Sequence, residues 1–410
     1  MRFAIKHIDI TPSEPSYLSG QINRIAKHTD VLDPLYATII VLEHQDQTFA
    51  LLGFDLLMLD ESLVSLMRSA LTSRINIPYE HIFTIPSHTH AGPEVLEDGL
   101  FGIKLQAVLP GYREGLVEKV VDLSIEAMHE LQEVSCYSTK IEIDGLFTNR
   151  NDPNKPIDNK LRMLVFKNEQ DEILGSFLNL ACHPTILGPA NTAISSDLFG
   201  VLRDCIELKY QFPVLISNGA EGDISNRHTR ISSDVHELER VRAKLMLQLP
   251  SMLDLHPVLD EVDFTQKHFT FNTVLQKEAM RTMIEHNNHL LATEMNVDKR
   301  KLLDASNTVL KAYLDRPREG TQAIEYSILK LGSVLLCFLP MELFSSHYLK
   351  LKAQLKNDLI IVGLSNISIG YLVDEEAYGK TYEGMTSPLP WSEITRFIDQ
   401  FSADLKRMDK

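Results

Sequence analysis

The sequence is poor in cysteine and tryptophan: its 410 residues include four cysteines and one tryptophan. The cysteines show no C-x-x-C spacing, and their surroundings do not resemble a small disulfide-stapled scaffold. We therefore predict that they are reduced core residues. Because they are scattered, they also disfavour a zinc site built from thiolates. The four residues are Cys136, Cys182, Cys205 and Cys337.

Positive charge and long apolar runs are also scarce. The chain carries 40 Lys and Arg against 56 Asp and Glu, a formal net charge of −16 at pH 7, which repels nucleic acids and anionic membranes. No apolar run reaches the length of a membrane span, and Lys6, His7 and Asp9 interrupt the stretch where a secretory signal needs apolar residues. We expect a cytoplasmic protein that binds no nucleic acid, does not insert stably into membranes, and acts on a small or lipid-like molecule.

The hydrophobic share of 44% predicts a globular protein with a sizeable core. In the first half of the chain, β-branched apolar runs predict strands, and amphipathic patterns between several of them predict helices. The predicted strands are 37–42, 49–57, 82–85, 161–166, 173–181 and 214–216, and the predicted helices are 61–71, 113–131 and 197–208. This alternation predicts an α/β or mixed α+β fold in which β-sheets are flanked by helices.

The second half begins with a helix-rich, charged segment, 232–314, interrupted by a predicted strand at 262–272. Strand signals return at 323–331, 333–339 and 359–362, and an amphipathic helix is predicted near 391–405. The chain shows no linker, internal repeat or low-complexity tract. We therefore expect a single domain over residues 1–410, with 232–314 as a helical insertion or layer within it.

A histidine pair follows the predicted strand 82–85, in the motif SHTHAGP. In an extended backbone, residues i and i+2 project from the same face, so His88 and His90 can enter one pocket. With 15 histidines in 410 residues, about 0.5 such pairs arise by chance. The pair alone therefore fits two hydrogen-bonded core histidines as well as it fits a metal site.

Other polar residues also come directly after apolar runs. His183 ends GSFLNLACH, Glu342 ends SVLLCFLPME, and Tyr371 follows DLIIVGLSNISIG. Because strand ends deliver side chains to a shared crevice, this common placement favours one functional site over separate buried roles. Two imidazoles and one carboxylate suffice for a catalytic zinc ion that keeps an open position for water, and His88, His183 and Glu342 supply that set.

Taken in order, these motifs resemble the catalytic domain of the neutral ceramidases, the non-lysosomal enzymes that cleave the amide of N-acylsphingosine. The matching segments are DITP (9–12), LDPLYA (32–37), SHTHAGP (87–93), TNR (148–150), ACHPT (181–185), SSD (195–197), GDIS (222–225), PME (340–342) and the stretch 371–383. The resemblance spans nearly the whole chain. The C-terminal immunoglobulin-like domain and the secretion signal of larger ceramidases are not expected.

The resemblance implies a ligand set and several further roles. The implied zinc ligands are His88, His183, Glu342 and Tyr371. His90 and Arg150 would hydrogen-bond the scissile amide or its developing oxyanion, Ser225 corresponds to the family's active-site serine, and Tyr382 would be a second tyrosine lining the site. The implied function is a zinc-dependent amidohydrolase in which zinc-activated water cleaves the amide bond of an N-acyl substrate.

Departures from the family pattern leave the substrate open. The family's GDxSPN is GDISNR in this chain, without the proline, and Met341 replaces the glycine before the glutamate. The substrate is a ceramide-like lipid or a smaller N-acyl amide. Two alternatives remain: a zinc hydrolase of another bond such as an ester, and a catalytically silent ligand-binding homologue.

Simpler roles also stay open for three of the implied residues. Arg150 fits a surface ion pair, Ser225 a turn, and Tyr382 a packed aromatic. Attack by Ser225 through an acyl-enzyme is the less favoured variant of the mechanism, since the sequence supports no His-Asp relay beside it.

Overall fold

The structure, a computed structural model, describes residues 1–22, 24–99, 102–104 and 106–410. In chain order its strands are β1 (Arg2–Asp9), β2 (Asp30–Val31), β3 (Tyr36–His44), β4 (Gln47–Phe54), β5 (Ile82–Pro86), β6 (Gln132–Glu133), β7 (Ser135–Glu142), β8 (Thr148–Asn149), β9 (Lys160–Lys167), β10 (Ile173–Leu180), β11 (Ala193–Ile194), β12 (Val214–Asn218), β13 (Ile224–Ser225), β14 (His256–Val258), β15 (Val262–Val274), β16 (Glu319–Leu331), β17 (Val334–Phe338), β18 (Glu342–Leu343), β19 (Asp358–Val362) and β20 (Tyr371–Leu372). Its α-helices are α1 (Glu61–Ile75), α2 (Tyr112–His129), α3 (Asp197–Tyr210), α4 (Val235–Gln248), α5 (Lys277–Thr293), α6 (Val297–Leu314), α7 (Ser345–Lys352), α8 (Tyr382–Thr386) and α9 (Trp391–Met408). The predicted mixed α/β class, with sheets flanked by helices, is confirmed.

Three large sheets contain most of the strands. Their strand orders are β5-β4-β3-β1-β6, β12-β10-β9-β7-β14 and β15-β16-β17-β19. Each sheet contains one parallel pair, namely β4 with β5, β10 with β12, and β17 with β19. Parallel neighbours need a crossover connection, and α1, α3 and α7 lie on those three connections. The fold thus contains three βαβ units, one in each sheet.

The three sheets share one central apolar core. The stacked rings of Phe3 and Phe166, with centroids 4.2 Å apart, join the first sheet to the second. Phe83 and Phe338 stack at 3.8 Å and join the first sheet to the third. Helices α1 and α2 cover the outer face of the first sheet, α3 and α4 that of the second sheet, and α7 and α9 that of the third sheet.

Burial on both faces explains the continuous apolar runs of the central strands. In β3, Ile39 and Val41 pack towards the helices of the first sheet, whereas Ile40 and Leu42 face the central core. Successive strand residues point to opposite faces, so a strand covered on both sides loses the apolar–polar alternation of a half-exposed strand. Such runs were therefore the clearest strand signals in the sequence.

Most predicted elements are confirmed, with small differences at their ends. The predicted strands of the first half correspond to β3, β4, β5, β9, β10 and β12, and the three helices to α1, α2 and α3. The predicted strand 49–57 was too long, because β4 ends at Phe54. Strands β1 and β7 were missed: charged residues interrupt both, and their pairing with β3 and β9 stabilises them as strands.

The segment 232–314 is helix-rich as predicted, and it also contains β14 and the long strand β15. Its helices α5 and α6 form a helical hairpin. Through Met280, Val309 and Leu310 this hairpin packs on Ile22 and on Met385 of α8. It therefore covers the side of the molecule on which α8 lies.

Two further predictions concern cysteine and membranes. All four cysteines are buried and unpaired, as the sequence predicted. Among the described residues, no helix is both long enough and apolar enough to cross a membrane.

A buried ion pair connects the helix layer of the second sheet to the first sheet. Arg203 of α3 places Nη1 2.6 Å from Oδ2 of Asp55, which follows β4, and the same oxygen accepts a 2.9 Å hydrogen bond from the Tyr36 backbone N–H. Both charged residues are buried. Burial raises the pKa of Asp55, and Arg203 opposes that rise. Removal of Arg203 alone would leave a carboxylate in the interior without its counter-charge.

Arg203→Met tests this connection. We expect it to lower the free energy of unfolding by about 3–5 kcal/mol near pH 7, because it leaves a buried charge uncompensated. Loss of Arg203 raises the pKa of Asp55 further, so the folded state holds a proton that the unfolded state releases, and the deficit should shrink as the pH falls. Urea denaturation at pH 8 and pH 5 measures both effects.

The matched control is Arg242→Met, which removes a half-exposed arginine that lies 3.0 Å from Asp204. Because exposed pairs contribute little, this control should lose no more than about 1 kcal/mol. Equal losses in the two variants would contradict the role given to Arg203.

Candidate metal centre and active site

Four of the sequence-predicted site residues lie beyond the carboxyl ends of the three parallel strand pairs. His88 follows β5, His183 follows β10, and Glu342 follows β17, so each of the three sheets contributes one residue. Tyr371 comes after β19 and pairs with Glu342 in the small parallel sheet of β18 and β20. Carboxyl ends of parallel strands form binding crevices, and here three such ends converge.

His88, His183 and Glu342 bring their ligand atoms together. These atoms lie within 4.8 Å of one another, and all three residues are buried. Glu342 Oε2 lies 3.0 Å from His183 Nε2 and 3.9 Å from His88 Nε2. The geometry is that of a possible three-ligand metal site.

The other nitrogen of each imidazole is held by a backbone carbonyl. His88 Nδ1 lies 2.9 Å from the Leu57 oxygen, and His183 Nδ1 lies 2.9 Å from the Glu221 oxygen. Because a carbonyl can only accept, Nδ1 carries the proton and Nε2 is left with a lone pair. This is the tautomer that a metal ligand needs, with its ring orientation fixed by the second nitrogen.

Burial keeps these imidazoles neutral. It lowers the pKa of His88 to about 4, and it lowers the pKa of His183 well below its usual value, with Arg150 adding to the effect. Burial also raises the pKa of Glu342, although His88 and Arg150 oppose that rise. The cluster is therefore a set of neutral nitrogen donors around a poorly solvated carboxyl.

The donor atoms of this cluster are suited to bind a metal ion. His183 Nε2 and Glu342 Oε2 are both buried, and neither forms a hydrogen bond with any described residue, although they lie 3.0 Å apart. Two lone pairs facing each other in a dry site are unfavourable, and a shared cation removes that cost. Two imidazoles and a carboxylate are a donor set suited to zinc.

The backbone at His88 is not extended, contrary to the assumption made from the sequence. His88 has φ of +70°, a left-handed conformation that is uncommon outside glycine. The alternation of an extended strand therefore does not apply to His88 and His90. Such strain persists at functional sites when the surroundings enforce it, and here the Leu56 oxygen accepts a 2.9 Å bond from the His88 backbone N–H.

His90 lies beside the cluster but outside the group of three. Its ring centroid is 4.9 Å from that of His88, and its Nδ1 lies 2.9 Å from the Gly20 oxygen. Gly20 has φ of +86°, and a Cβ there would lie 2.6 Å from the His90 ring, so this approach requires glycine. His90 Nε2 is buried and has no hydrogen-bond partner among the described residues, which leaves it free to accept from a ligand.

Arg150 is held in place by a buried carboxylate. Its Nε lies 2.8 Å from Glu383 Oε1, without hydrogen-bond alignment, and its Nη2 donates a 2.7 Å bond to the Gly222 oxygen. The guanidinium also lies 5.4 Å from the centre of the Tyr371 ring. The simpler interpretation of Arg150 as part of a surface ion pair is wrong, because both partners are buried.

Ser225 lies in β13, which pairs with β8. Its Oγ accepts a 3.2 Å bond from the Arg227 backbone N–H, and no hydrogen bond links this hydroxyl to an imidazole in the described part of the chain. A serine nucleophile needs such a base within reach. The geometry therefore suits Ser225 to positioning a ligand better than to attacking one.

All eight sequence-predicted site residues line one cavity of about 740 Å³, which is within the usual range for small-molecule sites. They are His88, His90, Arg150, His183, Ser225, Glu342, Tyr371 and Tyr382. The structure thus brings together residues that are spread over nearly 300 positions of the sequence. Tyr382 lines this cavity at the start of α8.

Sequence reasoning missed several residues that line the same cavity. Glu383 is the counter-charge of Arg150, and its position directly after Tyr382 in the matching stretch was an available signal. Glu221 is outside the lining, but its backbone oxygen lies 2.9 Å from His183 Nδ1; its side chain is fully buried, and neither carboxyl oxygen has a hydrogen-bond partner among the described residues. Burial and the nearby Glu342 raise the pKa of Glu221 well above its usual value.

The helical hairpin of α5 and α6 was also not predicted to take part in the site. It contributes residues spaced by three and four positions along one face of each helix. The apolar ones are Met283, Leu290, Leu302, Leu303, Ala305 and Val309. An amphipathic pattern shows that such a face is covered, but it does not show that the face lines a cavity.

Comparison with known proteins supplies the fold family. No protein-family model and no curated protein matches the sequence. The crystal structure of neutral ceramidase from Pseudomonas aeruginosa matches with a TM-score of 0.76 at 17% identity, over 98% of this chain and 73% of that chain. A structure of ceramidase complexed with C2 matches with a TM-score of 0.77 at 14% identity, over 98% of this chain and 74% of that chain. The chain therefore has the neutral-ceramidase fold that its motifs predicted.

Proposed function

We propose that this protein is a zinc-dependent amidohydrolase that cleaves the amide bond of an N-acyl substrate. The observation that carries the proposal is the buried contact of 3.0 Å between His183 Nε2 and Glu342 Oε2, two acceptor atoms that need a cation between them. The similarity to structures described as ceramidases supports an amide as the scissile bond. Because the sequence identity to these structures is low, we propose N-acyl substrates in general and not ceramide alone.

The zinc ligands in this proposal are His88, His183, Glu342 and Tyr371. Tyr371 is directly opposite Glu342 in the pairing of β18 with β20, so its phenol belongs to the same small sheet as the carboxylate. The chemistry that zinc supplies when bound is Lewis acidity, which polarises a carbonyl and lowers the pKa of water to about 7. In the overall reaction water adds across the C–N bond, giving a carboxylic acid and an amine.

The residues around the ligands bind and orient the amide. His90 can accept a hydrogen bond or a proton at Nε2, because its Nδ1 proton is already donated to the Gly20 oxygen. It therefore faces an amide N–H or the attacking water, and it cannot donate to an oxyanion while it is neutral. Arg150, fixed by Glu383, is the cationic donor for the charge that develops on the carbonyl oxygen.

Ser225 and Tyr382 contribute hydroxyl groups to the cavity that contains the ligands. Since no base bonds the Ser225 hydroxyl in the described structure, we assign it to substrate binding. The apolar face of the α5–α6 hairpin provides a surface for an acyl chain, which favours an N-acyl substrate over a wholly polar amide. An ester with the same acyl chain would fit the same surface, and it is the second candidate.

His88→Ala and Glu342→Gln test the metal site. Wild type should contain about one zinc per chain by elemental analysis, lose activity on treatment with a chelator, and regain it with zinc. Because changes to residues that only hydrogen-bond metal ligands cost about 10–100-fold, loss of a ligand should reduce metal content and rate by more than about 100-fold. The control is His256→Ala, whose side chain is 69% exposed, and it should match wild type. A metal-free, fully active wild type would overturn the proposal.

His90→Ala separates catalysis from metal binding. We expect the zinc content to stay near one per chain, because His90 Nε2 lies outside the ligand group, while kcat/KM falls by about 10²–10⁴-fold, as for a lost general acid–base group. Elemental analysis and steady-state kinetics on the same preparation measure both quantities. A variant that loses zinc with its activity would place His90 among the ligands.

A panel of substrates with a common dodecanoyl chain tests the bond that is cleaved. We expect zinc-loaded wild type to release the free acid from at least one amide of the panel. Turnover of esters alone would support the second candidate. Binding of the amides without turnover of either bond would indicate a silent homologue.

A further inference from the structure

The charged residues of the cavity can be paired one by one. Arg150 has Glu383 as its partner at 2.8 Å, and Glu342 belongs to the ligand group. On the hairpin, Lys299 lies 3.9 Å from Glu294. The remaining charged residues of the cavity lining are two arginines, Arg227 and Arg230.

Neither of these arginines has an ionic partner in the described structure. No ion pair within 4.0 Å and no side-chain hydrogen bond involves Arg227 or Arg230, although the chain as a whole has more acidic than basic residues. Although Arg227 is exposed at the surface, partial desolvation lowers its pKa, Arg150 lowers it further, and Glu383 opposes the change. Like charges close together repel each other, so an anion bound between the two arginines would be favourable.

A single turn places the two arginines on one wall. The backbone N–H groups of Thr229 and Arg230 both donate to the Asn226 oxygen, at 3.0 and 2.9 Å, so the chain coils once between the two arginines. Ser225 immediately precedes this turn and lines the same cavity. The backbone that carries both arginines is therefore held beside Ser225 in the cavity lining.

Asn226 adds an independent sign of a polar ligand. Its side chain is 1% exposed and lines the cavity, yet neither its Oδ1 nor its Nδ2 has a hydrogen-bond partner in the described part of the chain. A buried amide without partners costs free energy, which a bound ligand can remove. We call Asn226, Arg227 and Arg230 the cationic wall.

We propose that the amine half of the substrate carries an anionic group, such as a carboxylate or a sulfonate, which the cationic wall binds. Another part of the lining, from α5 and α6, is apolar and suits an acyl chain. The substrate class is therefore an N-acyl amino acid or N-acyl aminosulfonate. Ceramide fits less well, because both of its halves are apolar chains and neither is anionic.

This inference rests on the proposed function, since it names the substrate of the same site. Guanidinium groups bind carboxylates and sulfonates through charge-assisted hydrogen bonds. The position of the wall beside Ser225 places the anion close to the scissile bond, as in a short amine half. Hydrolysis then releases a fatty acid and a charged amino acid or aminosulfonate.

The test compares amides that share one acyl chain. N-dodecanoylglycine and N-dodecanoyltaurine carry a carboxylate and a sulfonate, and N-dodecanoylethanolamine is neutral. For wild type we expect kcat/KM to be at least about 10-fold higher for one or both anionic amides, as for a charge-assisted hydrogen bond. The better of the two anions identifies the group that the wall prefers. Equal or faster cleavage of the neutral amide would overturn the proposal.

Arg227→Met with Arg230→Met should remove this preference, so that kcat/KM of the variant for the anionic amides and for the neutral amide agree within about 3-fold. Arg227→Lys keeps the charge and should retain most of the preference. The matched control, Arg281→Met, removes an exposed arginine of α5 that is paired with Glu278, and it should behave as wild type. A preference that survives in the double variant would overturn the role of the wall.

Calorimetric binding measurements distinguish a failure of this inference from a failure of the proposed function. Zinc-free wild type should bind N-dodecanoylglycine or N-dodecanoyltaurine at least about 10-fold more tightly than the neutral amide, and the double variant should not. If this preference is present but no amide is cleaved, the substrate class stands and the proposed function fails. If amides are cleaved without any charge preference in binding or kinetics, the proposed function stands and this inference fails.

Discussion

Lone pairs of His88, His183 and Glu342 face one another in the buried interior, and the rest of the site is arranged around these three residues. Backbone carbonyls hold Nδ1 of His88 and His183, which turns both Nε2 atoms towards Oε2 of Glu342. The arrangement is unfavourable by itself, because neutral nitrogens cannot donate to the carboxylate that they face. It persists because three separate sheets fix the three residues, and because the backbone at His88 is held in a left-handed conformation. A site of this kind is organised for a cation before the cation arrives.

The convergence of three sheets depends in turn on the central core. Each βαβ unit delivers one ligand, and none of the units contains two of the three. The aromatic stacks of Phe3 with Phe166 and of Phe83 with Phe338 fix the first sheet against the other two. Close packing transmits displacement, so a change in this core would move one ligand relative to the others. The geometry of the His88, His183 and Glu342 cluster thus depends on the relative orientation of the three sheets.

The walls of the cavity differ in character from the ligand group at its base. The α5–α6 hairpin supplies an apolar surface, and the cationic wall supplies two arginines that form no ion pair within 4.0 Å in the described part of the chain. A fold with the same metal ligands can accept different N-acyl compounds when such walls change, because catalytic groups recognise the amide while the walls recognise its two halves. The departure from the family's GDxSPN motif lies in this turn, where Arg227 occupies the last position. In the proposed function, the substrate is therefore selected by residues other than those that would hold the metal.

The sequence alone determined the mixed α/β class, most of the buried strands, the helix-rich segment and eight of the residues that line the cavity. It did so because strands such as β3 are apolar on both faces, and because short motifs follow strand ends in a fixed order. It could not place β1, since pairing with β3 makes that charged segment a strand. Only the tertiary structure decided three features of the site. They are the different positions of His88 and His90, the pairing of Arg150 with Glu383, and the absence of an ion-pair partner for Arg227 in the described part of the chain. These features depend on long-range contacts and on one left-handed backbone conformation, and local residue patterns contain neither.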